Sequence, residues 1–381
     1  MNNKERVEQI ANLIIKGNSQ NVFSKTIKVF GYQYNYYQEL YGELNLYGFY
    51  DLDIKEYLAP LNIDSANHNR PGIKKDQTLY ICVHDTASAA KTANALAHAK
   101  YVSNGGDGTS WHYSCGDDGV YHQIPDDEVA YHAGDGTSVS LKYTDTLVKA
   151  TTINPKIEII DNYLYFNGEK SIIKAPTLEI KNDNGTLKYY SEGAFQVGKV
   201  NTDKEEEIIL NLTTASINDA GLKTIIGENG NYFLAPIYYN HTYKYVCNRL
   251  GNLGSIGIET MVNEGSNILR TWHNCAKLVA KLLIENNLNI QDVKPHHYFS
   301  GKQCPNTMRN ANEWQHFLNM VEMEYEIRKL MTTDTKIILK SDINVPDGIF
   351  NEKVKPGKYS YQVIISSGDI TKVVDLVTVV N

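Results

Sequence analysis

The stretch LYICVHDTASAA, residues 79–90, decides the fold class of this chain. Its first part, 79–83, is a short apolar run of the kind that forms a buried strand. An alanine-rich segment follows, and we expect it to form a helix from Ser88, a suitable N-cap, to about Val102. A strand followed directly by a helix predicts an α/β domain, with His84 at the carboxyl end of the strand, where functional groups commonly lie.

The same pattern returns in the second half of the chain. SIGIETMVN, residues 255–263, has the composition of a second buried strand, and amphipathic helices are predicted at 268–286 and at about 311–331. Between the two halves, WHYSC at 111–115 and VYHQIP at 120–125 flank the turn sequence GDDG and predict a β-hairpin. These segments together indicate one α/β domain that is interrupted by other material.

The N-terminal region, residues 1–75, is predicted to be helical and tyrosine-rich. Apolar residues recur at helical spacing through 3–17, and seven tyrosines then fall between positions 32 and 50. The tyrosines form either a platform that binds sugar or peptide, or an amphipathic layer that packs against the next domain. The sequence leaves both interpretations open.

Two further regions are predicted to be rich in β-structure. Residues 138–250 contain alternating segments joined at Asn167–Gly168 and Asn184–Gly185, and Asn-Gly is the strongest short-range signal for a hairpin turn. The C-terminal segment has turn sequences at 346–348 and 356–357. The predicted units are therefore a region 1–75, a domain 76–137 plus 251–332, an insert 138–250 and a region 333–381.

Composition excludes several classes of protein. A length of 381 residues allows two or three domains, and 37 basic against 44 acidic residues give a net charge of −7. Such a charge argues against binding nucleic acid through its phosphates. No run of 18 apolar residues predicts a membrane span, the N-terminus lacks the apolar core of a secretory signal, and five cysteines do not make a disulfide framework.

The clearest group of residues with possible catalytic chemistry lies in the segment 295–305, before the helix predicted at about 311–331. His296 and Cys304 stand eight residues apart across a loop and could bind one ion, although a surface histidine and a small buried cysteine are a common alternative. His84 is a candidate third ligand, and three protein ligands would leave an open position, as in catalytic zinc sites. Glu259, in an otherwise apolar strand, is either a base for a metal-activated water or a strand-edge residue facing solvent.

Four blocks, in this order along the chain, carry a resemblance to a known family. VHDTAS, SWHYSCGDDGVYHQIPDDEVAYHAGDG, SIGIETMVN and PHHYFSGKQCP resemble the zinc-dependent type 2 N-acetylmuramoyl-L-alanine amidases, and among them the endolysins of phages that infect Gram-positive hosts. The resemblance covers about 79–137 and 252–310. It implies an α/β fold with a mixed central β-sheet flanked by helices, to which the β-rich insert, the helical N-terminal region and the small β-rich C-terminal region are added.

The resemblance also assigns roles, residue by residue. The implied zinc ligands are His84, His296 and Cys304, with His296 preferred to His297 because the eight-residue step to the cysteine is the family's own spacing. The implied catalytic residues are Glu259, as the base, and Lys302, which steadies the oxyanion.

The implied groove residues are His132 and Trp111, and Trp111 departs from the tyrosine that many members carry. A second departure is that 175 positions separate His84 from Glu259. The insert accounts for the excess, since it leaves and rejoins the domain at one loop between Gly136 and Gly254.

The implied activity is hydrolysis of the amide between N-acetylmuramic acid and L-alanine by zinc-activated water. The expected cofactor is Zn²⁺ and the expected partner is bacterial peptidoglycan, with no nucleic acid and no membrane insertion. The alternatives are a non-catalytic peptidoglycan-binding module and a virion tail-associated lysin used at entry. We expect a protein that stays in the host cytoplasm until it is released to the cell wall, or one carried in the virion, where the non-catalytic regions would serve attachment or self-association.

Overall fold

The computed structural model describes most of residues 1–380. The residues outside its description are 19–23, 32–33, 42–45, 62–68, 135–143, 154, 176, 184–185, 193–194, 198–207, 212–223, 235–236, 240–245, 248–249, 301, 341–356 and 381. Within the described part of the chain, no helix combines the length and the apolar character needed to cross a bilayer.

The N-terminal region contains a helix and a β-hairpin. Helix α1 (Asn3–Asn18) matches the predicted segment, whereas strands β1 (Ser24–Val29) and β2 (Tyr36–Tyr41) form an antiparallel pair that the sequence did not predict. Alternate residues of the pair, Ile27, Val29 and Leu40, enter the core, which is the period-2 pattern of a half-buried strand. The many tyrosines at 32–41 made the alternation of apolar and polar residues difficult to recognise in the sequence.

A six-stranded mixed sheet forms the centre of the molecule. Its strands are β3 (Ile54–Glu56), β4 (Tyr80–Asp85), β5 (Tyr113–Gly116), β6 (Gly119–His122), β19 (Ser255–Thr260) and β20 (Val293–Pro295). The spatial order is β20-β4-β19-β5-β6-β3, and β5 and β6 are its only antiparallel neighbours. The predicted mixed sheet, both buried strands and the 111–125 hairpin are confirmed.

Helices flank this sheet. They are α2 (Ala95–Ser103), α3 (Gly251–Gly254), α4 (Ile268–Glu285), α5 (His296–Ser300), α6 (Asn306–Asn310) and α7 (Trp314–Leu330), with 3₁₀ turns at Gly106–Gly108 and Ile290–Asp292. The prediction that α2 begins at Ser88 is wrong. Its N-cap is Asn94, whose side chain accepts a hydrogen bond from the Ala97 N–H, and residues 88–93 precede the helix as a loop.

The insert is built from short strands. They are β7 (Thr144–Lys149), β8 (Ile157–Ile160), β9 (Tyr163–Phe166), β10 (Glu169–Lys174), β11 (Thr177–Asp183), β12 (Thr186–Glu192), β13 (Phe195–Val197), β14 (Ile208–Asn211), β15 (Thr224–Ile226), β16 (Asn231–Leu234), β17 (Ile237–Tyr239) and β18 (Val246–Cys247). Asn167 and Gly168 have φ angles of 50° and 84° and connect β9 to β10, as an Asn-Gly hairpin turn requires. The Asn184–Gly185 turn lies outside the described residues, but β11 and β12 on either side of it are paired.

The two ends of the chain share a core with the helices on one face of the central sheet. The C-terminal strands β21 (Thr335–Lys340), β22 (Gly357–Ser367) and β23 (Ile370–Val380) form an antiparallel sheet, and the turns predicted around 346–348 and at Pro356 lie outside the described residues. One buried apolar cluster joins α1, α4, α7, β22 and β23, through members such as Ile10, Trp272, Phe317, Val363 and Leu376. The limits of the four predicted units stay a prediction.

Candidate active site

Parallel pairing brings the predicted site residues to one edge of the sheet. Glu259 of β19 lies directly opposite His84 of β4, and β20 pairs Pro295 with Val83, so that His296 follows at the same edge. On β4 and β19, alternate residues face the apolar cluster beneath α4, while His84 and Glu259 face the other side of the sheet. Three strands therefore deliver three polar groups to one point.

Two histidines and a cysteine meet there. The candidate ligand atoms of His84, His296 and Cys304 all lie within 4.8 Å of one another, and the rings of the two histidines are 4.5 Å apart between centroids. The Nδ1 atom of His84 is 3.9 Å from the Cys304 Sγ. This is the ligand set that the resemblance implies.

His297 points away from this cluster. Its Nδ1–H donates to the Lys302 carbonyl oxygen at 2.9 Å, and its backbone N–H donates to the carbonyl of Cys304 at 2.9 Å. His297 therefore shapes the loop that carries the cysteine, and His296 presents its imidazole to the cluster.

Asp85 holds this loop in place and was not predicted as a site residue. Its carboxylate accepts a hydrogen bond of 2.6 Å from the Thr307 N–H at the start of α6, and its other oxygen lies 4.0 Å from the Cys304 Sγ. Burial raises the pKa of Asp85 to about 6, although the backbone hydrogen bonds of residues 306 and 307 lower it. The only sequence signal is a carboxylate at the end of a strand, next to His84.

Burial controls the protonation of the cluster in the absence of a metal. It lowers the pKa of His84 well below the usual value and that of His296 to about 4, so both imidazoles are neutral at neutral pH and can offer a lone pair. Burial also raises the pKa of the Cys304 thiol, which a bound cation would oppose.

Glu259 stands beside the cluster with an oxygen atom that has no partner. Its Oε1 is 3.7 Å from His84 Nδ1, and its Oε2 is buried without a hydrogen-bond partner among the described residues. Burial, followed by the nearby Asp85 carboxylate, raises the pKa of Glu259 to about 8. A buried carboxylate oxygen without a partner is costly, and together with the raised pKa it makes Glu259 a candidate functional residue.

The cluster opens into a cavity of about 880 Å³. Lys302 and Gln303 line it beside the cysteine, and both predicted groove residues, His132 and Trp111, line it as well. The Trp111 Nε1–H donates to the Ser114 Oγ at 2.8 Å and the indole stacks on Tyr101, so this tryptophan forms an apolar wall whose polar atom is already occupied. Phe30 and Gly31 of the N-terminal region also line the cavity, which nothing in the sequence had indicated.

A second group of possible ligands lies behind His84. Within the described residues, Cys82, His84 and His132 also bring one ligand atom each within 4.8 Å of the others. Cys82 is completely buried, and the cavity reaches the His84–His296–Cys304 cluster without reaching Cys82. The cluster of His84, His296 and Cys304 is therefore the candidate metal site that faces the cavity.

The site combines two histidines and a cysteine with a buried carboxylate, at the carboxyl ends of parallel strands. On an α/β fold, this arrangement defines a candidate site of a metal-dependent hydrolase. Residues 74–175 match the family model described as N-acetylmuramoyl-L-alanine amidase. The chain therefore contains a domain of the type 2 N-acetylmuramoyl-L-alanine amidase family. The matched segment includes His84, Trp111 and His132 and ends before Glu259, whose place in the site comes from the geometry above.

Parts of this sequence are similar to known proteins that have the same description. N-acetylmuramoyl-L-alanine amidase CwlH of Bacillus subtilis is 25% identical over 257 residues, which are 68% of this chain and 58% of the relative. N-acetylmuramoyl-L-alanine amidase XlyA of the same organism is 46% identical over 69 residues, 18% of this chain and 23% of the relative. The chain thus spans less than two thirds of the length of either relative. The solved structure of the catalytic domain of XlyA is 22% identical, with a TM-score of 0.38 and coverage of 71% of this chain and 99% of that one.

Proposed function

We propose that this protein is a zinc-dependent peptidoglycan hydrolase that cleaves the amide between N-acetylmuramic acid and L-alanine. The observation that carries the proposal is the convergence of His84, Glu259 and His296 on one sheet edge, where Cys304 joins them. The family of the 74–175 domain and the printed names of its relatives support the choice of substrate.

The residues present fit a zinc ion. Two neutral imidazoles and one thiol are a donor set that zinc accepts, and His296 donates its Nε2–H to the Ala133 carbonyl at 2.7 Å, so its Nδ1 is left as the donor atom. When bound by His84, His296 and Cys304, zinc would supply Lewis-acid activation of the amide carbonyl and of the attacking water.

The side chains around the cluster supply the rest of the hydrolysis. Glu259 accepts a proton from the attacking water through Oε2, which has no partner among the described residues, and returns it to the nitrogen of L-alanine as the C–N bond breaks. Lys302, at the cavity wall, faces the developing negative charge on the carbonyl oxygen. The products are the free carboxylate of the lactyl group and a free α-amino group on L-alanine.

One wall of the cavity is aromatic and is proposed to bind the substrate. Trp111 and Tyr101 form a stacked aromatic wall, which suits the apolar faces of a sugar or a peptide. The role of His132 and Trp111 as substrate-binding residues is part of the proposal. Bacterial peptidoglycan is the proposed partner, and a phage endolysin acting on the host wall at lysis is the proposed setting.

Metal removal tests this function. Protein stripped with a chelator should lose hydrolysis of dye-labelled cell walls and regain it with one equivalent of zinc, because three ligands of the chain converge on one position. His297→Ala is the matched control, since it should keep the metal whereas His296→Ala should lose it. Full activity of the chelator-treated protein, shown by elemental analysis to hold no metal, would overturn the proposal.

A further inference from the structure

A histidine that binds a metal through Nδ1 must carry its proton on Nε2, and an acceptor must hold that proton. For His296 the acceptor is the Ala133 carbonyl oxygen, 2.7 Å from Nε2. A carbonyl oxygen can only accept, so the Nε2–H tautomer of His296 follows directly. Its Nδ1 is therefore the nitrogen left free for a metal.

For His84 the acceptor is deduced from a chain of hydrogen bonds. The single hydroxyl proton of Ser255 is donated to the Gly251 carbonyl, so the Ser255 Oγ, 3.4 Å from His132 Nε2, acts as an acceptor toward that ring. A neutral His132 that donates from Nε2 offers a lone pair at Nδ1. His84 then donates its Nε2–H to His132 Nδ1 at 2.9 Å, with the Cys82 Sγ at 3.0 Å as a second, weaker contact of the same nitrogen.

The strand beside His132 leaves room for its ring. A Cβ atom at Gly257 would lie 2.7 Å from three atoms of the His132 ring, so glycine at this position of β19 lets the imidazole pack against the backbone. A ring confined in this way is held in the orientation that points Nδ1 at His84.

One side chain organises the segment that supplies both acceptors. The Asn252 Oδ1 accepts hydrogen bonds from the N–H groups of His132 at 3.0 Å, Ala133 at 2.8 Å and Gly134 at 3.3 Å. Gly134 has a φ angle of 48°, a left-handed conformation that favours glycine. Asn252 lies in α3, where the chain re-enters the domain after the insert.

We propose that Asn252 is a positioning residue for the metal centre, which acts through residues 132–134 to hold the acceptors of His84 and His296. The inference rests on the proposed zinc site and deepens it, because it names what fixes the tautomer of each histidine. The acceptors themselves, one step beyond the ligands, typically change metal affinity by about 10–100-fold when they are removed. Asn252 lies one step further out and acts through them.

The test measures zinc affinity by competition with a chromophoric chelator, independently of catalysis. Asn252→Ala should weaken zinc binding several-fold, up to the roughly 10–100-fold loss that removal of the acceptors themselves would cause, whereas Asn252→Asp should restore it, because a carboxylate oxygen can accept the same three N–H groups. Asn267→Ala is the matched control: Asn267 caps α4 by accepting the Arg270 N–H, so its loss should lower stability without changing zinc affinity. Zinc affinity of Asn252→Ala within twofold of the parent, or an equal loss in Asn267→Ala, would overturn the inference.

A second measurement needs no substitution, and it tests the hydrogen-bond chain that Asn252 is proposed to hold even if Asn252→Ala fails to fold. Nitrogen-15 spectra of the metal-free parent should show the Nε2–H tautomer for both His84 and His296, and an Nδ1–H tautomer on either ring would contradict the inference. Failure of the proposed function and failure of this inference give different results. If the parent protein binds no zinc, the proposed function is wrong. If the parent and Asn252→Ala bind zinc equally tightly, only the role of Asn252 is wrong.

Discussion

At the scale of single residues, Glu259 has the surroundings that a catalytic base needs. Its carboxylate is held near His84, one of its oxygens lacks a described partner, and burial raises its pKa into the range where a carboxylate can both accept and return a proton. A carboxylate on an open strand edge would show none of these features. The geometry therefore favours the base over the solvent-facing alternative.

Glu259→Gln should keep the fold and the zinc but lose catalysis. Glutamine is nearly isosteric and cannot take the proton from water, so the rate of wall hydrolysis should fall by on the order of 10²–10⁴. Glu264→Gln, which changes an exposed carboxylate a few residues further along the chain, is the control and should leave the rate unchanged. A Glu259→Gln variant that works nearly as fast as the parent would move the base to another side chain.

The sequence could predict the candidate metal ligands but not the groups that would orient them. His84, His296 and Cys304 are visible because strand ends and an eight-residue spacing are local signals. The orienting groups form hydrogen bonds between segments that are far apart in the chain; these groups are Asp85, Asn252 and Ser255. Asn252, for example, bonds to the N–H groups of residues 132–134. No local pattern encodes such a bond, and so none of the three was singled out.

At the scale of secondary-structure elements, the insert is a substructure with a core of its own. Phe166 and Tyr232 stack inside it at 5.7 Å, and the Tyr232 hydroxyl accepts hydrogen bonds from the N–H groups of Thr151 and Thr152, at 3.0 Å each. Ile225 packs on the apolar cluster that contains Tyr80 and Phe299, on the same side of the sheet as the site. The described part of the insert thus lies beside the groove and contributes no member to the His84–His296–Cys304 cluster.

Replacing residues 138–249 with a short Gly/Ser linker should leave zinc binding and some hydrolysis of a small muramyl-peptide. The reason is that Leu250, Asn252 and all three ligands stay, and the cost of closing a loop grows slowly with its length. Activity on whole walls of the natural host should drop more, because we expect the insert to select or anchor the substrate. A folded linker variant that clears whole walls as fast as the parent would exclude such a role.

The sequence predicted the 268–285 helix and the buried strands well, but it placed the start of α2 wrongly. The long periodic helix at 268–285 and the apolar strands are strongly patterned, whereas the start of α2 depended on which of two residues serves as the cap. Asn94 caps the helix, and Ser88 lies in the loop whose alanines line the cavity. The alanine-rich composition fits both a helix and a narrow groove wall, so composition alone could not place the boundary.

At the scale of the whole molecule, the N-terminal region packs closely against the amidase domain. The Tyr36 hydroxyl donates to the carbonyls of Val262 and Asn263, and the Tyr50 hydroxyl donates to Asn274, so these tyrosines belong to a packing layer. Phe30 nevertheless reaches the cavity wall. The region therefore supports the domain and also shapes one side of the groove.

A buried ion pair joins this layer to two helices and should be costly to break. Lys277 of α4 and Glu324 of α7 are 4% and 3% exposed, with Nζ and Oε1 3.1 Å apart, and Glu324 also accepts the Gly48 N–H at 2.8 Å. Glu324→Ala should lower the free energy of unfolding by about 3–5 kcal/mol, because it leaves a buried cation without its partner. Urea unfolding would measure this loss. Replacing both residues by apolar ones should cost less, and an equal loss in the double variant would contradict the assignment.

The bond that is cleaved tests the proposed function most directly. Purified cell walls digested with the protein should gain free α-amino groups on L-alanine, in step with the loss of turbidity, and should gain no reducing sugar ends. This is the outcome that the proposed metal centre and base would produce on an amide bound in the groove. New reducing ends without free L-alanine amino groups would mean that the protein cleaves glycosidic bonds, and would contradict the assignment of His84, His296, Cys304 and Glu259 to amide hydrolysis.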